Sequence, residues 1–392
     1  MTSTRTSLKA ARFSESVIRE MTRLAAKHNA INLAQGFPNF PAPDFLKEAA
    51  VKAIRNDINQ YAITWGSANL RAAVAEKYRR TYDWPVDPET DLTVCCGSTE
   101  CMISSILATV DPGQNVLIFE PFYENYGPDG ILSGATPCYV TLHMPHWSID
   151  FDELKNVFNN NTKAIIINTP NNPTGKVFSK EELETIAELC QKWDVYAITD
   201  EIYEHITYDG KEHISIASIA DMADRTITIN SLSKTYSVTG WRVGWAIASK
   251  NLTERIRKVH DFLTVGAPTP LQHAGVVALN LPDSYYKKLR GDYFKKRNFL
   301  FDLLRNSGFN PFLPLGSYYM MADFQNLKEK LDAQNDLDFS RKLIEKTGVA
   351  TVPGFSFYSR SKKGENLIRF TFCKKWETLH TVEKIFNSRL NK

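Results

Sequence analysis

Hydrophobic positions along the chain predict strands and helices that alternate. Short apolar runs, typical of buried strands, occupy residues 115–120, 164–168, 195–199 and 226–230. The segments between them include 180–193, where apolar side chains recur on one helical face. Parallel strands need crossover connections, so this order predicts an α/β fold with a largely parallel central sheet and helices on both faces.

A different pattern begins near residue 280. A long charged helix is predicted at 283–306, and strands at 316–323, 349–352 and 367–372 have fewer helices between them. At the other end, a helix at 14–28 leads into a proline-rich extended segment. We therefore assign residues 45–280 to a large domain, and residues 1–44 and 281–392 to a smaller α+β domain with an N-terminal arm.

Composition excludes several classes of protein. Hydrophobic residues make up 43% of the 392 residues and charged residues 23%, which is ordinary for a globular protein. The net charge of +3 gives no reason to expect nucleic acid or an anionic membrane as a partner. No apolar run is long enough to span a membrane, and the N-terminus lacks the apolar core of a signal peptide. We therefore expect a cytoplasmic protein.

The six cysteines predict neither a disulfide framework nor a metal site. Cys95, Cys96 and Cys101 cluster, but their spacing is not that of a zinc site. We expect them to be small buried residues and expect no metal.

Several polar and aromatic residues follow the predicted strands closely. In parallel sheets, ligands bind beyond the carboxyl ends of the strands. Five residues lie within a few positions of such an end, so we expect them to share one site: Tyr123, Asn172, Asp200, Tyr203 and Lys234.

Lys234 and Arg242 together indicate the chemistry of that site. Lys234 follows a strand, and Arg242 lies eight residues later in an apolar run between Trp241 and Trp245. A cation so placed favours an anion as its partner. A lysine amine beside a bound phosphate is what enzymes that use pyridoxal 5'-phosphate require. Lysines in polar turns are also common as solvated charges, and that alternative stays open.

The neighbouring residues suit the same cofactor, although each has a simpler alternative. Asp200 could pair with the protonated pyridine nitrogen, or could only cap a helix. Asn172 and Tyr203 could donate hydrogen bonds to the ring phenolate oxygen, and Tyr123 could stack on the ring. Asn172 could equally be a turn residue before proline, and Tyr123 a core aromatic.

Three further positions could bind anions. After Gly97, the N–H groups at a helix start near Ser98 and Thr99 could cradle a phosphate, with one of these two side chains as the cap. Arg369, on an apolar strand, could bind a substrate carboxylate or an internal acid. Gly36 belongs to an extended arm that either connects two elements or crosses a pocket.

Motifs in the chain resemble one enzyme family. The stretches Asn171-Asn-Pro-Thr-Gly175, Asp200-Glu-Ile-Tyr203, Ser231-Leu-Ser-Lys234, Gly240-Trp-Arg-Val-Gly244 and Arg369-Phe are similar to those of fold type I, class I/II aminotransferases, which depend on pyridoxal phosphate. They occur in the family order. The stretches Asn32-Leu-Ala-Gln-Gly-Phe-Pro and Asn59-Gln-Tyr61 resemble the kynurenine, glutamine and methionine aminotransferase subgroup.

The resemblance implies a role for each matching residue. Lys234 would form the internal aldimine, with Asp200 and Tyr203 as its catalytic partners. The phosphate would be bound by Ser98, Thr99, Ser231 and Arg242, and by Tyr61 of the partner subunit in a homodimer with shared sites. The substrate α-carboxylate would be held by Gly36, Asn172 and Arg369.

The expected reaction is a ping-pong transfer of the α-amino group from a neutral or aromatic L-amino acid to a 2-oxo acid. Ile18, Val265 and Gly266 replace aromatic or histidine residues of the subgroup, which weakens an aromatic lid for kynurenine. No second arginine can be assigned to a side-chain carboxylate, so aspartate is not expected as the preferred donor. The alternative is a β-lyase acting on cysteine S-conjugates with the same lysine and aspartate.

Overall fold

An eight-stranded sheet forms the centre of the structure, a computed structural model that describes residues 7–390. Its strands run β2 (Leu92–Cys95), β9 (Gly244–Ile247), β8 (Thr226–Ser231), β7 (Tyr196–Asp200), β6 (Thr162–Asn168), β3 (Asn115–Glu120), β4 (Thr136–His143) and β5 (Ser148–Ile149). The inner strands β8, β7, β6, β3 and β4 are parallel, whereas β2, β9 and β5 pair antiparallel. The α/β fold is therefore confirmed.

Helices cover both faces of this sheet. In chain order the helices are α1 (Val17–Lys27), α2 (Asp44–Arg55), α3 (Ala68–Tyr82), α4 (Ser98–Thr109), α5 (Tyr126–Ser133), α6 (Phe151–Val157), α7 (Lys180–Trp193), α8 (Lys250–Thr264), α9 (Thr269–Leu279), α10 (Asp283–Asn306), α11 (Gln325–Lys328), α12 (Asp336–Thr347) and α13 (Trp376–Arg389). One cluster of buried side chains packs β3, β6 and β7 against α7, and another packs the same strands against α4. No helix in the described part of the chain is long and apolar enough to cross a membrane.

Local sequence explains why α7 begins where it does. Ser179 accepts a hydrogen bond from the Glu182 N–H at 3.2 Å, and Glu182 accepts one from the Ser179 N–H at 2.9 Å. This reciprocal capping box satisfies two backbone donors that a helix start leaves free. Leu183, Ile186 and Ala187 then face the core at helical spacing.

A smaller antiparallel sheet stands beside the large one. Its order is β10 (Asn310–Pro311), β11 (Tyr319–Asp323), β14 (Leu367–Thr371) and β13 (Val352–Pro353). A separate pair joins β1 (Ile31–Asn32) to β12 (Val349–Ala350) in parallel. The N-terminal segment thus contacts the C-terminal region directly. Our domain boundaries remain a proposal, and residues 1–6 and 391–392 lie outside the described part.

Some elements differ from the sequence prediction. Helices α5 and α13 and strand β9 were not predicted; α5 contains Gly127, Pro128 and Gly130, which lower helix propensity. The strand predicted at 349–352 is two short strands that pair in different sheets. Helix α4 has Gly97 as its N-cap and no side-chain cap, so the expectation that Ser98 or Thr99 caps it is wrong.

Candidate active site

A cavity of about 710 Å³ lies where the parallel strands end. Tyr123 follows β3, Asn172 follows β6, Asp200 ends β7 and Lys234 follows β8. The lining includes ten of the residues singled out from the sequence: Gly36, Ser98, Thr99, Tyr123, Asn172, Asp200, Tyr203, Lys234, Arg242 and Arg369. The chain therefore brings most of its candidate functional groups to a single place.

Lys234 is enclosed rather than solvated. Its Nζ donates a hydrogen bond to the Gly36 carbonyl oxygen at 3.1 Å and lies 6.0 and 5.9 Å from the ring centroids of Tyr203 and Tyr318. Burial disfavours the charged ammonium and lowers the pKa of Lys234 to about 8. A minority of this amine is consequently neutral at neutral pH, where an exposed lysine is almost wholly charged.

Asp200 keeps one carboxylate oxygen free. It is the last residue of β7, and a turn rather than a helix follows, so it does not cap a helix. Its Oδ2 accepts a hydrogen bond from the Tyr126 hydroxyl at 2.8 Å, while the buried Oδ1 has no partner. Burial raises its pKa to about 6. A buried carboxylate oxygen without a partner suits a protonated ring nitrogen.

Arg369 is buried without an acidic partner among the described residues. Its Nη1 donates to Asn172 Oδ1 at 2.7 Å and its Nη2 to the Ala34 carbonyl at 2.6 Å, while Nε has no partner. Its guanidinium carbon lies 4.2 Å from the centroid of the Tyr319 ring. Neutral contacts hold the arginine in place but leave its charge uncompensated, so it can take a carboxylate.

Asn172 is consequently more than a turn residue. Its side-chain oxygen accepts the hydrogen bond from Arg369, which leaves its amide N–H₂ group to donate into the cavity. Tyr203 donates to the Tyr319 hydroxyl at 3.2 Å. The Asn172 amide could therefore donate to a phenolate oxygen of a bound ring, and Tyr203 could do so once its only hydroxyl proton turns away from Tyr319.

The part of the cavity at the start of α4 can bind an anion. Gly97 has φ of +82°, and a Cβ there would lie 2.3 Å from Arg242 Nη2. A Cβ at Gly244 would lie 2.7 Å from the Ser98 nitrogen. These glycines let the start of α4 approach the guanidinium of Arg242 closely. The first N–H groups of the helix and a cation therefore converge, as a phosphate needs.

The extended arm crosses the cavity. Gln35, Gly36 and Phe37 line it, and the Gly36 carbonyl accepts hydrogen bonds from both Lys234 and Tyr318. A Cβ at Gly36 would lie 1.7 Å from the Tyr319 hydroxyl oxygen, so only glycine fits. The arm is therefore part of the site and not merely a connection.

Two residues expected at the cofactor phosphate are not in this lining. Ser231 is 2% exposed, and its Oγ accepts a hydrogen bond from the Ser233 N–H at 3.3 Å. Tyr61 is 85% exposed on the surface. Their proposed contacts with phosphate therefore remain predictions.

Sequence reasoning missed other residues of the cavity. Ser233 lines it with a buried Oγ that has no partner, and Tyr126 holds Asp200. Tyr319 lines it beside Arg369. The signal for Ser233 was present, because it directly precedes Lys234. Tyr126 gave none, since its helix was not predicted.

Comparison with known proteins identifies the class. The profile for aminotransferase class I and II matches residues 28–385, so the chain belongs to that family. It is 37% identical to a kynurenine–oxoglutarate transaminase of Dictyostelium discoideum, over 92% of this chain and 91% of the relative. It is 36% identical to human kynurenine–oxoglutarate transaminase 1, over 93% of both chains.

Solved structures agree on the fold. N-succinyldiaminopimelate aminotransferase of Mycobacterium tuberculosis superposes with a TM-score of 0.94 at 36% identity, over 98% of this chain and 99% of that one. A methionine aminotransferase from Escherichia coli superposes with a TM-score of 0.92 at 32% identity, over 98% of this chain and 99% of that one. The protein is an aminotransferase that uses pyridoxal 5'-phosphate. The free amine, the unpaired carboxylate oxygen and the anion-binding end fit that cofactor.

Proposed function

We propose that the protein transfers the α-amino group of a neutral or aromatic L-amino acid to a 2-oxo acid by ping-pong chemistry. The observation that carries this proposal is the charge of Arg369, buried without an acidic partner in the described chain and lining the same cavity as Lys234. One carboxylate-binding group beside one reactive amine is what an α-amino acid substrate requires.

Each catalytic group has a defined task in this proposal. When bound, pyridoxal phosphate supplies an electrophilic carbonyl and a ring that withdraws electrons from the substrate α-carbon. The neutral Lys234 amine accepts the α-proton and later returns it. Asp200 holds a proton on the ring nitrogen through its free Oδ1. Arg369 and Asn172 orient the substrate carboxylate, together with Gly36 of the arm.

The donor preference rests on the walls of the cavity. Ile18, Phe37 and Leu263 line it with apolar surface. Val265 and Gly266, which we expected to close the pocket, are not among its lining residues in the described chain. Apolar walls discriminate by only about 1–3 kcal/mol per methylene, so we propose a broad enzyme for donors such as methionine, glutamine, leucine or phenylalanine.

The acceptor preference rests on a cation that the sequence did not assign. Arg19 lines the cavity next to Ile18 and has no ion-pair partner among the described residues, whereas its neighbour Arg23 pairs with Glu15 at 2.6 Å. Because Arg19 is exposed, we propose that it attracts the second carboxylate of an acidic 2-oxo acid only moderately.

A panel of amino donors tests the proposal. The half-reaction of each donor with the holoenzyme is followed in a single turnover by absorbance of the cofactor. Neutral and aromatic donors should be fastest, and parallel double-reciprocal lines should indicate ping-pong kinetics. A rate for aspartate that exceeds every neutral donor by orders of magnitude would contradict the donor assignment. Pyruvate and ammonia formed from a cysteine S-conjugate without an acceptor would instead support the β-lyase alternative.

A separate experiment tests the proposed role of Arg19 in binding an acidic 2-oxo acid. Arg19→Gln should raise the KM for 2-oxoglutarate about fivefold, the upper range for an exposed ion pair, and leave the KM for pyruvate unchanged. Arg23→Gln on the same helix is the matched control, since Arg23 lies outside the cavity lining. Equal effects of Arg19→Gln on both acceptors would reject the assignment.

We also propose that the enzyme is a homodimer in the cytoplasm. Support for the dimer comes from exposed apolar residues around Tyr61 and Phe262, which are 85% and 92% exposed. Support for a reducing compartment comes from the cysteines, all six of which are free thiols.

A further inference from the structure

An acidic residue stands at the anion-binding end of the cavity. Glu100 is the third residue of α4 and lines the cavity together with Ser98 and Thr99. Its side chain is only 8% exposed. A carboxylate in this position repels a bound phosphate unless its charge is compensated, because interactions between charges are poorly screened in a buried site.

Three hydrogen-bonding contacts surround the Glu100 carboxyl group. Its Oε2 accepts the Cys96 N–H at 2.5 Å, and its Oε1 accepts the Thr264 hydroxyl at 2.7 Å. The same Oε1 faces His260 Nδ1 at 2.6 Å. Burial favours the neutral acid, but hydrogen bonding and the charge of His260 together lower the pKa of Glu100. With its pKa lowered in this way, Glu100 is a carboxylate at neutral pH.

His260 supplies the compensating charge. Its Nε2 lies 2.8 Å from the Thr64 carbonyl oxygen, which can only accept. Its Nδ1 faces the carboxylate, which also only accepts, so both ring nitrogens must donate and the ring is an imidazolium. Burial opposes this charge, but the neighbouring Cys95 and Glu100 raise the pKa of His260 to about 11.

The ion pair just described and a bound metal ion would exclude each other. Ligand atoms of Cys95, Glu100 and His260 lie within 4.8 Å of one another, which is close enough for a shared ion. A metal needs a lone pair on the imidazole, and an imidazolium that donates from both nitrogens has none.

The pair connects three segments around the site. A hydrogen bond to Thr64 joins the pair to the segment that carries Tyr61. Hydrogen bonds to Cys96 and Thr264 join it to the turn before α4 and to the end of α8. Leu263 and Thr264 at that helix end also line the cavity.

We propose that the His260–Glu100 ion pair is a positioning element that sets the affinity of the anion-binding turn for the cofactor phosphate. Glu100 anchors the turn by its bond to the Cys96 N–H, and His260 cancels the charge that would otherwise repel the phosphate. This inference rests on the cofactor of the family and not on the proposed substrates.

The test compares two ligands that differ only in the phosphate. Full-length holoenzyme is resolved from its cofactor, and the Kd for pyridoxal phosphate and for pyridoxal is measured by protein fluorescence. In His260→Gln the Kd ratio of pyridoxal phosphate to pyridoxal should rise at least tenfold, since Glu100 stays charged. In the double variant Glu100→Gln, His260→Gln the ratio should return close to the wild-type value.

The control is His143→Gln, which removes another imidazole–carboxylate pair, with Glu153 at 3.0 Å, outside the cavity lining. It should leave the ratio unchanged. An equal loss of affinity for both ligands in His260→Gln would mean that the pair only stabilises the fold, and would overturn the proposal. An unchanged Kd ratio in His260→Gln would also overturn it. So would a double variant whose Kd ratio is as high as that of His260→Gln. A wild-type protein that fails to bind pyridoxal phosphate would overturn this inference together with the cofactor assignment.

Discussion

At the scale of single residues, Lys234 shows how burial prepares a nucleophile. The amine lies beside the rings of Tyr203 and Tyr318 and donates to the Gly36 carbonyl. No carboxylate of the described chain forms an ion pair with it, so desolvation is the largest influence on its pKa and lowers it to about 8. An exposed lysine keeps a pKa near 10.4 and is almost wholly protonated at neutral pH.

This difference predicts how capture of the cofactor depends on pH. Below pH 8 Lys234 is mostly protonated and cannot attack an aldehyde, so the rate should rise with pH and level off just above pH 8. Stopped-flow absorbance after mixing the cofactor-free enzyme with pyridoxal phosphate measures the rate. A free lysine derivative is the control, and its rate should keep rising toward pH 10. An enzyme rate that also rises to pH 10 would contradict the shifted pKa.

At the scale of elements, a buried ion pair joins α3 to the segment after β7. Lys77 on α3 contacts Glu204, which also accepts a hydrogen bond from Asn230 Nδ2 on β8 at 2.6 Å and one from the Tyr82 hydroxyl. Burial alone would raise the pKa of Glu204, but Lys77 and His205 lower it to about 2. Through Asn230 the pair is tied to β8 one residue before Ser231.

Removal of one partner should therefore be costly. Lys77→Met leaves a buried carboxylate unpaired and should lower the free energy of unfolding by about 3–5 kcal/mol, measured by denaturant titration at pH 7. Arg79→Met, which breaks the exposed pair with Glu76 on the same helix, should cost less than about 1 kcal/mol. An equal decrease in the free energy of unfolding in the two variants would show that the buried ion pair stabilises the fold no more than the exposed one.

The same pair has a pH signature. The pKa of Glu204 is lower in the folded protein than in the unfolded chain, where it is near 4.3. The ionised Glu204 therefore contributes to the free energy of unfolding above about pH 4.3, and this contribution is lost as the pH falls toward 2. The difference in stability between wild type and Lys77→Met should consequently shrink over that range.

At the scale of the whole molecule, one surface is unusually apolar. Tyr61, Ile63, Phe262, Leu263 and Val265 are all exposed, and we call them the apolar patch. Its two segments are joined where His260 bonds to the Thr64 carbonyl and where the Ala62 N–H donates to Thr269 Oγ1 at 3.1 Å. Because Leu263 also lines the cavity, a subunit packed on the patch would reach the site.

Mixed dimers test whether the sites are shared. Lys234→Ala and Tyr61→Ala subunits should each be nearly inactive alone. If Tyr61 serves the partner's site, a mixed dimer contains one site with both native residues, and activity should return when the two variants are coexpressed. Phe262→Asp should give an inactive monomer by light scattering, whereas Leu313→Asp, at an exposed position outside the patch, should not. No recovery in the mixed dimer would contradict shared sites.

Much of the site was predictable because its residues follow strands. Tyr123, Asn172, Asp200 and Lys234 each lie at or just after a strand of a parallel sheet, and such a sheet brings all these ends to one edge. Local pattern, residue chemistry and the resemblance to a known family together predicted the fold class, the cofactor and most of the cavity.

The remaining features depend on contacts between distant segments. Arg369 meets Asn172 across 197 positions, and His260 meets Glu100 across 160. Arg19 lines the cavity only because of how α1 packs, and Tyr126 reaches Asp200 from a helix that its own sequence disfavours. Packing geometry, which no local pattern encodes, determines which charges are paired. The sequence thus determined the chemistry of the site, and only the tertiary structure decided which cations are free for a ligand and which charges compensate each other.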